Sequence, residues 1–158
     1  MYTDRDNIGA AIGRIPSGCS ILTVEHEGRS TGVLVSWVQQ AAFEPPSVTV
    51  CLKQGRSAGE LVDRSKRFLL NVIGHDPNAM FKHFGKGFSL DEDAFAGLAV
   101  RRTDFGPLLE SCIAHLGCEV RDTVAVGDHH LYVAEVRAAN VTAGATPYTH
   151  LRKSGLTY

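Results

Sequence analysis

The chain of 158 residues carries 16 Lys and Arg residues against 17 Asp and Glu residues, which gives a formal net charge of -1. A chain of this length folds as about one domain and buries roughly 70% of the surface that its unfolded form exposes, so we expect residues 1–158 to share one core. The sequence has no basic stripe that could neutralise a row of phosphates, which argues against a nucleic-acid partner. No stretch approaches the ~20 apolar residues of a membrane span, and the charged start, MYTDRDNIGAAIGR, is unlike a secretory signal. We therefore expect a cytoplasmic protein that does not enter a membrane.

The four cysteines and seven histidines do not form a metal-binding pattern. Cys19, Cys51, Cys112 and Cys118 include no Cys-x-x-Cys pair, and each lies in an apolar or strand-like segment. We therefore interpret the four cysteines as small core side chains, in preference to a disulfide or a set of metal ligands. The histidines show neither His-Glu-x-x-His nor a two-pair cluster, so no metal site is expected.

Alternation of apolar and polar residues predicts at least six strands. A strand over residues 19–24 passes through a polar bend into a second strand that begins at Ser30, which is typical of a hairpin. Residues 47–52 alternate cleanly, so one face of that strand should be buried. The remaining predicted strands are residues 67–73, 116–124 and 129–136, and the last two flank a Gly127-Asp128 turn.

Helical signals are fewer. Ser57 can cap a helix that runs through Lys66, and Asp76 and Pro77 supply the N-cap and the first-turn proline of another. The second helix has an apolar stripe at helical spacing, which is more typical of a core face than of a cofactor contact. The stripe consists of Met80, Phe81, Phe84 and Phe88. Because antiparallel hairpins predominate over short helices, the sequence predicts a mainly β barrel with peripheral helices.

One strand loses its apolar character abruptly within VSWVQQAAFEPPSVTV, residues 35–50. An irregular backbone over residues 36–39 would present peptide N–H and C=O groups instead of pairing them in a ladder. The two prolines at 45 and 46 then force an extended entry into the next strand. Such an interruption of the strand is typical of a binding surface for a flat ligand with one polar edge. It is equally typical of a surface bend whose glutamines are solvated.

The segment after the next strand, residues 53–57, combines two cations, a glycine and a hydroxyl at the predicted start of a helix. Exposed N–H groups at a helix N-terminus, together with Lys53 and Arg56, would favour a phosphate group. A solvated loop explains this segment equally well when it is considered alone.

Six segments occur here in the order in which they occur in a known family: GRIPSGCSILTV, STGVLVSWVQQAAFEPPSVTVCL, RFLLNVIG, LGCEV, VAVGDHHLYVAEV and the terminal HLRKSGLTY. In these segments, which span nearly the whole chain, the sequence resembles the flavin reductase-like, FMN-binding split-barrel family. The SWVQQAAFEPP stretch and the terminal segment most resemble the flavin reductase-like module of some flavodiiron proteins. The resemblance implies a Greek-key-like split β-barrel with peripheral helices.

The resemblance also implies roles for particular residues. His129, in the Gly-Asp-His element, would lie near the flavin and the incoming nicotinamide, although a hairpin turn with a solvated histidine explains the same residues when they are taken alone. His130 alternates to the opposite face of its strand. The isoalloxazine ring would be lined by Val35, Ser36, Trp37, Val38 and Gln39. The ribityl phosphate would be held by Lys53, Arg56 and Ser57. The resemblance also implies a homodimer in which side chains from either chain could cover the cofactor, namely Phe84, His150, Arg152 and Tyr158. Phe84 suits the core as well, and the terminal segment suits a solvated tail as well.

The function that this resemblance implies is NAD(P)H:flavin oxidoreductase activity, in which NADH or NADPH delivers hydride to FMN, with FAD as the alternative flavin. Reduced flavin would then dissociate or pass electrons to a partner such as a monooxygenase or a flavodiiron protein. The cofactors carry this chemistry, so no catalytic triad is required. The sequence has no Gly-x-Gly-x-x-Gly fingerprint and does not indicate which dinucleotide is used.

The sequence leaves two other functions open. The chain could be an FMN-binding electron carrier that a partner protein reduces, or a related barrel that binds heme or another flat ligand. The colour of the purified protein separates them, because bound flavin is yellow and heme gives a Soret band. Hydrolysis is not indicated, since Gly-x-Ser-x-Gly is absent and Ser17 lies in a predicted turn.

Overall fold

The computed structural model describes residues 1 and 3–157. The helices are α1 (Arg5–Ile12), α2 (Ser57–Ser65) and α3 (Asn78–Phe84). The strands are β1 (Ser17–Gly18), β2 (Ser20–His26), β3 (Arg29–Val35), β4 (Val38–Ala42), β5 (Ser47–Lys53), β6 (Arg67–Val72), β7 (Val100–Arg101), β8 (Leu108–Leu109), β9 (Ala114–Val126), β10 (His129–Val141) and β11 (Thr149–His150). The predicted mainly β architecture with peripheral helices is confirmed.

Seven of these strands form one antiparallel sheet in the order β3-β2-β6-β9-β10-β5-β4, counted over the described residues. The two edge strands, β3 and β4, follow each other in the chain and are joined only by Ser36 and Trp37. This short link brings the two ends of the sheet together, and among the described residues no ladder joins β3 to β4. The sheet therefore curls into a barrel that is open between its edge strands.

Period-two alternation divides the buried side chains of the sheet between two faces. In β2, Leu22 and Val24 pack in the cluster that fills the barrel, whereas Ile21 packs in a second cluster on the outer face. Phe68 and Tyr132 are both fully buried in the inner cluster. The outer cluster lies beneath α3 and the segment that follows it.

Helix α3 packs closely on the outer face because β3 has a glycine there. A Cβ atom on Gly32 would lie 2.7 Å from Cε1 of Phe84, whose side chain is completely buried. The glycine therefore lets the ring rest directly on the strand. This contact fixes α3 beside the end of β3, where the barrel is open.

The two chain ends are joined across the same region. Ser17 pairs with His150 and Gly18 with Thr149 in the short β1–β11 ladder. The amide of Gly155 donates to the carbonyl oxygen of Gly9 in α1 at 2.6 Å. We call residues 147–155 the C-terminal strap, because they run from this ladder to α1.

The structure corrects several predicted boundaries. The irregular stretch is limited to Ser36 and Trp37, because Val38 and Gln39 already pair with β5 in β4. The β9–β10 hairpin runs from 114 to 141, which is longer than predicted. Ser57 is the first residue of α2, and Arg56 holds the N-cap position without a side-chain cap hydrogen bond. Helix α1 and the short ladders were not predicted.

Candidate functional site

A crevice with a volume of about 260 Å³ lies at the opening between the edge strands. Residues 33–37 line it on one side and residues 51–53 on the other, with Cys19, Arg56, Phe81, Gly85 and His150 completing the wall. Valine, leucine and cysteine side chains predominate along the strands, so the crevice is largely apolar there. The two irregular residues between β3 and β4, Ser36 and Trp37, form one end of the crevice.

The other end of the crevice carries positive charge. Lys53 is exposed and Arg56 is half-buried, and both side chains line the crevice where β5 leads into α2. The connecting Gly55 has φ +78°, a backbone conformation that side-chain-bearing residues rarely adopt. Arg56 Nη1 also donates to the carbonyl oxygen of Lys86 at 3.3 Å, which ties the cationic end to the loop after α3. The two cations and the start of α2 suit an anionic group.

Trp37 separates the crevice from a wider groove of about 740 Å³. The groove lies between residues 36–39 and the C-terminal strap, and residues 15–18 close it below. The Trp37 ring centroid is 4.7 Å from that of His129, and Cζ of Arg152 is 5.1 Å from the Trp37 ring centroid. The carbonyl oxygen of Trp37 accepts a hydrogen bond from the amide of Cys51 at 3.0 Å. The indole is therefore held in place as a partition between the two cavities.

His129 is 8% exposed and lies beside Trp37, at the start of β10. Its Nδ1 is 2.7 Å from Oδ1 of Asp128, and this hydrogen bond, with a smaller contribution from Lys53, lowers the pKa of the Asp128 carboxyl. Because a carboxylate only accepts hydrogen bonds, the pair assigns the Nδ1 proton to the imidazole. The backbone amide of Gln54, which lies between Lys53 and Arg56, donates to the carbonyl oxygen of Asp128 at 3.0 Å. This hydrogen bond connects the Asp128 turn to the cationic end of the crevice.

Burial disfavours the charged forms of the two cysteines and the histidine that line the crevice. Burial raises the pKa of the Cys19 thiol to about 11 and also raises that of Cys51. Burial, and secondarily the charge of Arg152, lowers the pKa of His150. The positive charge at the crevice therefore comes from Lys53 and Arg56.

A third cavity, which we call the polar chamber, adjoins the cationic end on its other side. It has a volume of about 310 Å³ and is lined by residues 52–57 and by Gly59, Glu60, Asp63, His130 and Tyr132. Lys53 and Arg56 line both the crevice and the chamber. His130 lies in the chamber, on the face of β10 opposite to His129, as its alternation predicts.

The structure brings most of the predicted site residues to these cavities. Val35, Ser36, Trp37, Lys53 and Arg56 line the crevice, as does His150 among the predicted cover residues. Val38, Gln39 and Arg152 lie along the groove, and Ser57 lines the polar chamber. His129 contacts Trp37, and Tyr158 lies outside the described residues.

Phe84 is not brought to the crevice. Its ring is completely buried in the outer cluster, whereas Phe81, one turn earlier, lines the crevice. The apolar stripe identified the helix but not its rotation relative to the strand. Sequence reasoning also missed Cys51 as a lining residue, although its place on the semi-polar face of β5 was a usable signal.

The described residues offer neither a metal-binding cluster nor a membrane-spanning helix. Within residues 1 and 3–157, no three His, Cys, Asp or Glu side chains are grouped so that they could hold a metal ion. No helix in the same part of the chain is both long enough and apolar enough to cross a membrane.

Comparisons with known proteins agree with this geometry. The model of the family described as "Flavin reductase like domain" matches residues 12–155. The chain is 34% identical over 155 residues to "Putative diflavin flavoprotein A 6" of Nostoc sp., an alignment that covers 96% of this chain and 27% of that protein. It thus spans about a quarter of the length of the diflavin flavoproteins that it matches.

A relative of more similar length is the reductase component of a 4-nitrophenol 4-monooxygenase/4-nitrocatechol 2-monooxygenase from Rhodococcus opacus. The identity is 31% over 149 residues, which cover 94% of this chain and 78% of that protein. Among solved structures, the NADH:FAD oxidoreductase SgcE6 of Streptomyces globisporus superposes with a TM-score of 0.84 at 19% identity, over 91% of this chain and 86% of that one. This superposition confirms the predicted split-barrel fold. The chain belongs to the family of flavin reductase-like domains.

Proposed function

We propose that this chain is an FMN-binding NAD(P)H:flavin oxidoreductase whose flavin site is the crevice at the opening of the barrel. The observation that carries the proposal is the distribution of chemistry along that crevice, which is apolar between β3 and β5 and cationic at Lys53 and Arg56. A flavin mononucleotide has the same distribution, with a planar ring system at one end and a phosphate at the other. The residues present therefore fit this cofactor.

When it is bound, the flavin accepts hydride from reduced nicotinamide at its N5 atom. The chain contributes binding and orientation. Val35 and its neighbours in β3 would contact the ring, and the peptide groups of Ser36 and Trp37 would address its polar edge. Lys53 and Arg56 would neutralise the phosphate, assisted by the amides at the start of α2 and by Ser57.

His129 has a separate role in this proposal. It is held beside the Trp37 partition, so it would orient the nicotinamide ring or balance negative charge near the reduced flavin. Asp128 keeps the imidazole in one tautomer and one orientation. The groove on the far side of Trp37 would give the hydride donor a route of approach.

The finer properties are proposals of the same kind. We place the protein in the cytoplasm, as a homodimer in which the C-terminal strap helps to cover the cofactor. The electron acceptor would be a redox partner of the monooxygenase or flavodiiron type, because relatives of this chain include a monooxygenase reductase component and diflavin flavoproteins.

The test is anaerobic mixing of the FMN-loaded protein with NADH and, separately, with NADPH in a stopped-flow instrument, while the absorbance of oxidised flavin is followed. Rapid bleaching with at least one of the two nucleotides is expected. Absence of bleaching with both nucleotides would refute the reductase activity, provided that dithionite still reduces the bound flavin in the same protein.

One observation favours a second candidate, an FMN-binding electron carrier reduced by a partner protein. The chain spans only about a quarter of the length of the diflavin flavoproteins that it matches, so in those proteins the matching region is part of a longer chain. The same experiment separates the candidates. A carrier would keep its flavin oxidised in the presence of both nicotinamide nucleotides and would be reduced only by a protein donor.

A further inference from the structure

The turn between β4 and β5 presents an exposed aromatic side chain. Phe43 is 88% exposed, whereas every other Phe, Tyr and Trp side chain described in residues 1 and 3–157 is buried or half-buried. The two strands pair up to the turn, where Ala42 lies opposite Ser47, so the position of the turn is fixed. Aromatic side chains bury a large apolar area and are enriched where proteins bind each other. Phe43 is therefore a candidate anchor for a protein partner.

The groove beside Trp37 has exposed apolar walls that suit such a ring. Ile12 and Ile15 both line the groove, and the Ile15 side chain is 65% exposed. Of the eight described residues of α1, which supplies Ile12, Gly9 alone is buried. A helix of this length is too short to be stable without packing against another surface, so a further contact is expected on this side of the groove.

Phe43 does not fill the groove of its own chain. Strand β4 begins at the groove, which Val38 and Gln39 line, and leads away from it. At about 3.3 Å per strand residue, Phe43 lies roughly 15 Å from Val38. The chain therefore has an apolar projection and an apolar groove that do not meet. In a two-fold dimer each copy offers both surfaces, so the same contact forms twice.

Charge favours a second copy of this chain as the occupant of the groove. Residues 12–18 and 147–155, which border the groove, contain three cations and no carboxylate. The cations are Arg14, Arg152 and Lys153. Residues 38–49, which form β4 and its turn into β5, contain the exposed Glu44 next to Phe43 and no cation. An apolar ring beside a carboxylate thus complements an apolar groove beside cations.

We propose that the groove of one copy receives Phe43 of a second copy in a two-fold homodimer. The proposal rests on the proposed function, because the homodimer and the route of the hydride donor belong to it. The Phe43 ring would pack against Ile12 and Ile15 in the outer part of the groove, and Glu44 would approach the cations of the C-terminal strap. The end of the groove at Trp37 would stay open to the hydride donor. Each copy would then complete the donor groove of the other.

The test measures the oligomeric state of the FMN-loaded full chain by sedimentation velocity over a range of concentrations. Phe43→Ser should raise the dimer dissociation constant about 100-fold or more, because it removes the central apolar anchor. Val141→Ser is the matched control, since Val141 is also exposed but lies at the end of β10 and does not line the groove. It should leave the dimer dissociation constant within about twofold of that of the unaltered protein.

A charge reversal tests how the two copies face each other. Glu44→Lys should weaken the dimer about fivefold, because it brings a cation towards the cationic border of the groove. Lys153→Glu in the same chain should recover most of that loss, although Lys153→Glu alone should also weaken the dimer. Equal losses that simply add in the double variant would contradict this orientation.

Enzyme assays distinguish this proposal from the proposed function. The KM for NAD(P)H should rise about threefold or more in Phe43→Ser when the variant is monomeric, and an unchanged KM would overturn the completed groove. An unchanged dimer dissociation constant in Phe43→Ser, or an unaltered protein that stays monomeric, would overturn the contact and leave flavin reduction intact. A dimer that depends on Phe43 but shows no bleaching by either nucleotide would refute the reductase activity and support the contact.

Discussion

Replacing Arg56 with Gln should weaken FMN binding and leave riboflavin binding unchanged, because riboflavin lacks the phosphate. Arg56 lines the crevice at its cationic end, half-buried and beside the start of α2. A hydrogen bond to a charged group contributes about 1.5–3 kcal/mol net. A loss of about 2 kcal/mol corresponds to roughly a 30-fold increase in the dissociation constant for FMN.

The structural cost of this substitution should be small. The hydrogen bond from Arg56 to the carbonyl oxygen of Lys86 is long, at 3.3 Å, and lies in an exposed setting. We therefore expect the free energy of unfolding to fall by less than about 1 kcal/mol. Added salt should weaken FMN binding in the unaltered protein more than in Arg56→Gln, since one of the two screened cations has been removed.

The assay is fluorescence titration of FMN and of riboflavin against each protein. Arg64→Gln is the matched control, because Arg64 lies on the same helix, is largely exposed and pairs with Glu60 at 3.0 Å. It removes the same charge away from the crevice. Unchanged FMN affinity in Arg56→Gln, or an equal loss of riboflavin affinity, would refute the assignment of the cationic end to the phosphate.

The His129–Asp128 pair, the Cys51 thiol and the contact between Gly32 and α3 can each be tested separately. His129→Ala should slow flavin reduction by NAD(P)H about 100-fold while changing FMN affinity little. Asp128→Asn should slow the reduction less. Equal stopped-flow rates in the unaltered protein and both variants would remove the role of this pair. Because burial raises the pKa of Cys51, its alkylation should be slow at neutral pH and should accelerate as the pH rises. Bound FMN should slow the alkylation again, because Cys51 lines the crevice, and peptide mapping would measure the extent of modification. Modification that FMN does not retard would contradict the proposed site. Gly32→Ala should destabilise the fold by about 1–3 kcal/mol and lower the melting temperature by several degrees, because its Cβ would overlap the buried ring of Phe84. The double variant Gly32→Ala with Phe84→Leu should recover part of this loss. An unchanged melting temperature in Gly32→Ala would refute this packing.

Where a segment had one buried face, its sequence predicted the structure well. Val48, Val50 and Leu52 alternate and are buried in β5, as their spacing predicts. The extension of the β9–β10 hairpin to 126 and 141 could not be predicted in the same way, because residues 121–128 and 137–146 are exposed and carry no such pattern. Helix α1 was missed for a similar reason, since it buries little besides Gly9, although Asp4 offered a capping signal.

The site shows the same division between local and long-range information. The cationic segment around Lys53 and Arg56 could be recognised locally, because charge, glycine and a helix start are contiguous in the sequence. The partition formed by Trp37 could not, since its neighbours His129 and Arg152 are about a hundred residues away in the chain. The exchange of Phe84 for Phe81 has a physical cause of the same kind, because Gly32 on a distant strand sets the rotation of α3.

A crystal structure of the protein grown with FMN tests the proposed flavin site most directly. We expect the isoalloxazine ring between residues 33–37 and 51–53, with the phosphate within hydrogen-bond distance of Lys53 and Arg56. A ring bound elsewhere, or a crevice filled by the Trp37 indole in protein that is saturated with FMN, would contradict it.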